Sequence, residues 1–367
     1  MMKKISIFVM AFMLSLFVSG CEEVENKDGM ETGSGVETSL VEKVDLSAVS
    51  APEEAMVYSA LFFDREPEET ARIFLGSDFE EGETSALGRM FLSGAGTKEE
   101  KMLYAYDSGR AFYGDIRVPG SNGVVFHSRY KILYNKIYEN NDEYDRMKSE
   151  YCNEGRISDE GSDGQDGVFS DKQKLVSENL EKLGARGYGL YSAGMFNVDK
   201  TKGCLMYFKQ MVDGIPVSHI GFANIDKMIV YNFRHSIVGE KTAALNADVE
   251  VCFLGDELVE FSCQSLINAD RQLKKYPLVP VNTAYEKVKK CYPADVGTDG
   301  KYELERAELQ YELVMPDYSY EKIYLYPVWL FGVRNKGGGE MESEWTYYIV
   351  DAVTGEFFSN IPEEFLQ

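Results

Sequence analysis

Between residues 303 and 315 the chain reads ELERAELQYELVM, an alternation with a period of two. Ala307, Leu309, Tyr311, Leu313 and Met315 fall on one side, and Arg306, Glu308, Gln310 and Glu312 on the other. That spacing predicts a half-buried antiparallel strand. Similar runs predict strands at 189–198, 205–212, 215–222, 228–233 and 324–333, and a hairpin over VEVCFLGDELVEFSC turning at Gly255-Asp256. EWTYYIVDAVTGEFF, residues 344–358, adds a strand that turns between Asp351 and Gly355.

A helical period appears in four places. PEEAMVYSALFF (52–63) and PEETARIFL (67–75) each open with proline in a first turn. Ser170 with Gln173, and Thr283 with Glu286, make capping boxes. The first box precedes Leu175, Val176, Leu180 and Leu183 on one face, with a stop at Gly184; the second precedes Ala284, Val288 and Cys291, with a stop at Pro293. Strand-like runs at 101–106, 111–118 and 123–133 complete an N-terminal region. The order predicts an α+β fold, with antiparallel sheets each packed by a helix. The expected domains are residues 51–157 as an N-terminal α+β region, a Gly/Asp-rich linker at 158–171, and two units at 172–268 and 269–367.

The leader changes where these elements would work. Lys3 and Lys4 precede an apolar run of about 14 residues, signal-peptide length rather than spanning length. Val18-Ser19-Gly20-Cys21 resembles a bacterial lipobox, which predicts residues 1–20 as a signal peptide and Cys21 as the lipidated residue. A palmitate-bearing diacylglycerol anchor on Cys21 would hold the protein at the outer face of the cytoplasmic membrane. Residues 21–50, acidic and poor in large apolar groups, read as a flexible tether.

The net charge of −23 argues against nucleic acid, because nothing basic could track phosphates. It also opposes lying flat on an anionic leaflet. After Cys21, an odd set of cysteines remains: Cys152, Cys204, Cys252, Cys263 and Cys291. These are no disulfide framework. A two-residue turn at Gly255-Asp256 would place Cys252 opposite Val259 and Cys263 opposite Asp248, so the two do not meet and free, semi-buried thiols are expected.

MYFKQMVDGIPV is similar to the strand–turn–strand core of thermolysin-type propeptides, through Phe208, Gln210, Gly214, Ile215, Pro216 and Val217. The last unit resembles PepSY domains: a capped helix, YPVWLFGV, and an Asp-Ala-x-Thr-Gly-Glu turn at Asp351, Ala352, Thr354, Gly355 and Glu356. The resemblance spans about residues 170–367 and implies tandem PepSY-like units behind the N-terminal region. Tandem order and outer-surface anchoring are also similar to YycH/YycI-type regulators, which implies restraint of a Gram-positive sensor kinase. Those regulators use a transmembrane helix, whereas this chain carries a lipobox.

Candidate chemistry is sparse. His127, His219 and His235 lack metal-ligand spacing on a helix, and the last two lie on strands that could pair. The acidic loops beginning at Asp159 and Asp295 lack the third-position oxygen and twelfth-position glutamate of an EF-hand. GVRNKGGGE has no following Gly-Lys-Ser/Thr, and Gly-x-Ser-x-Gly does not occur. No cofactor, metal or catalytic residue is therefore expected.

Tyr318, Tyr320, Tyr324, Tyr326, Tyr347 and Tyr348 form a candidate partner-binding face. The expectation is a non-enzymatic extracytoplasmic lipoprotein that binds a sensor ectodomain or secreted protease. A solute- or glycan-binding lipoprotein and an envelope-polymer hydrolase are the alternatives.

Overall fold

The computed structural model describes residues 40–62, 65–85, 88–110, 117–128, 144, 166–218, 228–230, 237–238, 242–244, 248–263, 266–295, 302–316, 322–336, 345–358 and 361–365. The first elements are β1 (Leu40–Glu42), β2 (Glu54–Phe62), α1 (Pro67–Leu75), β3 (Glu80–Ser85), β4 (Gly88–Ser93), β5 (Lys101–Arg110) and β6 (Arg117–Ser128). Next come α2 (Asp166–Leu183), β7 (Tyr188–Val198), β8 (Thr201–Val212), β9 (Ile215–Ser218), β10 (Met228–Val230), β11 (Ile237–Val238) and β12 (Thr242–Ala244). Then follow β13 (Val249–Leu254), β14 (Glu257–Cys263), β15 (Ile267–Pro277), α3 (Val281–Asp295), β16 (Tyr302–Pro316), β17 (Ile323–Asn335) and β18 (Trp345–Asp351).

One sheet runs β3–β4–β5–β6–β14–β13–β8–β7 and is antiparallel throughout. In the other, β17 lies between β16 on one side and both β18 and β2 on the other, with β15 outside β2. The far side of β16 takes β1, β9 and β12 in succession, β1 and β9 parallel to it. The β8–β9 hairpin links the sheets into one eighteen-stranded network. Asp213 (φ 52°) and Gly214 (φ 77°) form its turn. Two successive positive-φ residues match the twist of the flanking strands, which explains Asp-Gly at this point.

The expected α+β fold of tandem PepSY-like units, each an antiparallel sheet packed by a helix, is overturned. The molecule is mostly strand, and α1, α2 and α3 are the α-helices whose spans are described. Its large sheet is mixed and recruits β1 from the segment read as tether and β2 from the N-terminal region. Sequence order shows which strands exist but not which pair, and here pairing crosses the whole chain.

Individual elements also differ. Residues 54–62 are strand, not helix, because Val57, Tyr58 and Ala60 are buried between β15 and β17; strand neighbours override a weak helical period. α1 begins at Pro67, as the first-turn proline predicts. α2 starts at Asp166, so Ser170 lies inside it rather than at its cap. α3 starts at Val281 and runs past Pro293 to Asp295. β15 carries few apolar residues and is exposed from Asp270 to Lys275, so its pattern announces no strand. Leu40–Glu42 pairs with β16 and Leu46 is buried, so the folded part begins inside the segment read as tether.

Each sheet carries its own apolar layer. On one face of the mixed sheet, Val281, Ala284, Tyr285 and Val288 of α3 pack on Leu309, Tyr311, Leu313, Trp329 and Phe331. The Trp329 indole donates to the Val279 carbonyl at 2.9 Å, fixing the approach to α3. Behind it, the Asp351 carboxylate accepts from the Val353 and Thr354 amides at 2.7 and 3.1 Å, closing the turn at Gly355. In the antiparallel sheet, Val176, Leu180 and Leu183 of α2, with Ala71 and Leu75 of α1, cover Phe91, Phe126, Phe208 and Phe261.

Candidate functional site

Two arrangements on the face of the mixed sheet opposite α3 bring chemistry-bearing groups together. The first lies along the polar side of β16. Alternation places Arg306, Glu308, Gln310 and Glu312 there, yet Arg306, Gln310 and Glu312 are buried. Tyr191 of β7 and Lys209 of β8 cover them. The Lys209 ammonium sits 3.9 Å from the centre of the Tyr191 ring. The Tyr191 hydroxyl donates to Glu308 at 2.9 Å, and Arg306 binds both Tyr191 and Glu308.

Burial opposes ionisation of Glu308, but Arg306 and Lys209 outweigh it and hold the carboxyl below its ordinary range. Glu312 has the opposite balance. Burial pushes it up to about 8, against the pull of Lys209 and with Asp248 adding to the rise. Tyr191 is raised by burial as well, so it serves as a neutral donor. Neither end of the Gln310 amide, nor Glu312 Oε1, has a hydrogen-bond partner among the described residues. The seam is thus a charge-paired clamp between the sheets, with an acid–amide pair left over at its centre.

The second arrangement is the tyrosine face. Tyr324 and Tyr326 on β17 lie with Val57, Val328, Leu330, Tyr347 and Ile349 in an apolar layer. The chain's own segment after β18 covers it. Phe357 bridges to Val350, and the Phe358 ring stacks on Tyr326 at 5.6 Å. Ile361 is buried in the same layer. Phe365 meets Tyr324 at 5.5 Å and Tyr276 of β15 at 6.5 Å, and its carbonyl accepts from the Tyr324 hydroxyl at 3.1 Å. Glu364 pairs with Lys274 at 2.8 Å and accepts from Tyr276, while Lys274 lies 4.7 Å from the Tyr276 ring.

Of the six tyrosines expected to share a face, Tyr318 and Tyr320 lie outside the described residues. Tyr326, Tyr347 and Tyr348 are buried, and Tyr324 is partly covered. Tyr347 and Tyr348 are successive strand residues and enter opposite layers, Tyr348 joining α3. Tyr324, Tyr326 and Tyr347 share the layer that Phe358 and Phe365 join, and the ring contacts to Phe365 and Phe358 fall on Tyr324 and Tyr326. Sequence reading missed Tyr276, Lys274, Tyr191 and Lys209. The last had a signal: a lone cation inside the apolar ribbon LMYFKQMV.

Cys21, Cys152, His219, His235, the loop at 159–164, most of that at 295–300, and the glycine run of GVRNKGGGE lie outside the described residues; the Cys291 side chain does too. His127 stands on β6, where burial lowers its imidazole to about 4 and keeps it neutral at physiological pH. Among the described residues no group of three His, Cys, Asp or Glu side chains is placed to hold a metal. Cys204, Cys252 and Cys263 are buried. A bulge between Cys252 and Phe253 sets Cys252 opposite Glu260, and Cys263 faces Val249, one step from the expected register. The two thiols enter different apolar layers and do not meet.

No family model matches the sequence, and no curated protein does. The fold is similar to that of an uncharacterized protein from Eubacterium rectale ATCC 33656. The TM-score is 0.55 at 12% identity, over 85% of this chain and 88% of that one. No described helix is long and apolar enough to cross a membrane.

Proposed function

We propose that this protein is a non-enzymatic lipoprotein, held through Cys21 at the outer face of the cytoplasmic membrane. There it binds a protein partner as a regulator, the partner being a sensor ectodomain or a secreted protease. β15 carries the reading. It pairs with β2 alone among the described residues, is exposed from Asp270 to Lys275, and so offers backbone groups to an extended segment. Asp270, Arg271, Lys274 and Lys275, with two breaks in register, discourage pairing with a second flat strand of its own kind. A partner must therefore match this edge in charge and twist, which favours specific over promiscuous addition.

The test is in-cell crosslinking from a photoreactive residue at Leu273, followed by identification of captured proteins. Leu273 is 41% exposed, so the probe reaches solvent without disturbing the core. One envelope protein recovered repeatedly, and lost on Lys275→Glu, is expected. Recovery of no specific protein from intact cells overturns the reading.

A further inference from the structure

The segment lying over the tyrosine face describes a ligand. It presents an aliphatic anchor, Ile361, then Pro362, a carboxylate on Glu364, and an aromatic anchor, Phe365. Each has a built counterpart. Ile361 enters the layer formed by Val57, Tyr326 and Val328. Phe365 wedges between Tyr324 of β17 and Tyr276 of β15. Glu364 is gripped by Lys274 and the Tyr276 hydroxyl. The counterparts stand on three adjacent strands, β15, β2 and β17, so the sheet fixes their spacing before anything occupies them.

The two ends of the covering segment are held differently. Phe357 and Phe358 belong to the sheet: Phe357 bridges to Val350, and the Phe358 amide donates to the Ile349 carbonyl at 2.9 Å. Among the described residues beyond Ile361, the attachment is one ring, one backbone acceptor, and the Glu364 carboxylate held by Lys274 and the Tyr276 hydroxyl. That pair is half-exposed, with Lys274 at 50% and Glu364 at 44% of their side-chain surface. Exposed ion pairs contribute little to stability, and segments with few buried contacts open at low cost. The anchors confer recognition, while beyond the buried Ile361 the hold is weak enough to exchange.

We propose that Lys274, Tyr276, Tyr324 and Tyr326 form a recognition seat for an extended protein segment carrying an aliphatic anchor, a carboxylate and an aromatic ring. Residues 361–365 occupy this seat in cis and are displaced when a partner presents the same chemistry. The seat borders the exposed edge of β15, so a partner strand added there can continue its side chains onto the tyrosines. The proposal rests on the partner-binding reading and gives that partner's recognition segment a chemical description.

The probe is a fluorescent peptide of sequence IPEEFLQ, titrated by anisotropy into the full chain. In wild type the intramolecular segment competes and binding is weak. In the full chain carrying Glu364→Lys and Phe365→Ala the cis segment is released, and binding tightens at least tenfold. Adding Lys274→Glu to that variant removes the gain. A wild-type full chain treated with the peptide bearing a photoreactive phenylalanine at its aromatic position is labelled at the β15–β17 surface; this second measurement does not depend on the folding of any variant. Equal binding by wild type and released variant, or labelling elsewhere or nowhere, overturns the seat. A cellular partner captured through Leu273 that excess peptide does not displace also overturns the seat, while leaving partner binding itself intact.

Discussion

At the residue scale, Glu312 has the sharpest consequence. Its folded-state value of about 8 stands above the ordinary 4.5 of a glutamate, because burial outweighs the attraction of Lys209. Below about pH 4.5 folded and unfolded chains both hold the proton. Between 4.5 and about 8 only the unfolded chain releases it, so the contribution to stability declines as pH rises and levels off beyond 8. Asp248 faces the same carboxyl and adds to the effect, while Arg306 is engaged by Glu308 and Tyr191. Glu312→Gln keeps the shape without the charge. The variant is expected to melt several degrees above wild type at pH 8.5 and to match it near pH 5. Thermal unfolding across that range checks this, and parallel profiles for the two chains would refute it. The alternation of β16 was legible in the sequence down to each residue's side. What covers the polar side was not, because Lys209 and Tyr191 arrive from β8 and β7, far away in the chain.

Lys209 acts at the scale of elements, since it ties the antiparallel sheet to the mixed one. Lys209→Met takes away the cation near Glu308 and Glu312, and removing one member of a buried charged set costs about 3–5 kcal/mol. Combined with Glu312→Gln the loss should be less than the sum of the two changes, by about 1 kcal/mol or more, because neighbours in one network are not additive. Denaturant unfolding of the four chains measures this, and strict additivity would deny any coupling across the seam. Element types follow the same divide between local and distant causes. α1, the β8–β9 hairpin and the turn at Gly355 were legible, for each is fixed by residues that touch within a few positions: Pro67, Asp213-Gly214, and Asp351 with its own downstream amides. β2 and β15 were not. AMVYSALF becomes strand because strands wait on both its sides, and the polar run of β15 becomes strand because β2 needs a partner.

For the whole molecule, the expected placement at the membrane makes its own prediction. Cys21→Ala should move the protein from the membrane fraction to the medium without altering its melting temperature, because the folded part begins near Leu40. Cell fractionation with an immunoblot decides this, and unchanged membrane retention would exclude a lipid anchor on Cys21. The tandem-unit layout was the largest misreading of the sequence. Helix-then-strands occurs twice along the chain, yet β1 and β2 complete a sheet whose other members are almost all C-terminal. That arrangement has a consequence for biogenesis. A chain threaded outward amino end first delivers Glu54–Phe62 long before Ile267–Pro277 and Ile323–Asn335 emerge to flank it. Closing so wide a loop is slow, so a β-prone, apolar stretch would stand exposed until those later strands arrive. If the protein is exported as the Cys21 reading proposes, its yield would be limited by whatever shields this early strand until its last neighbours arrive.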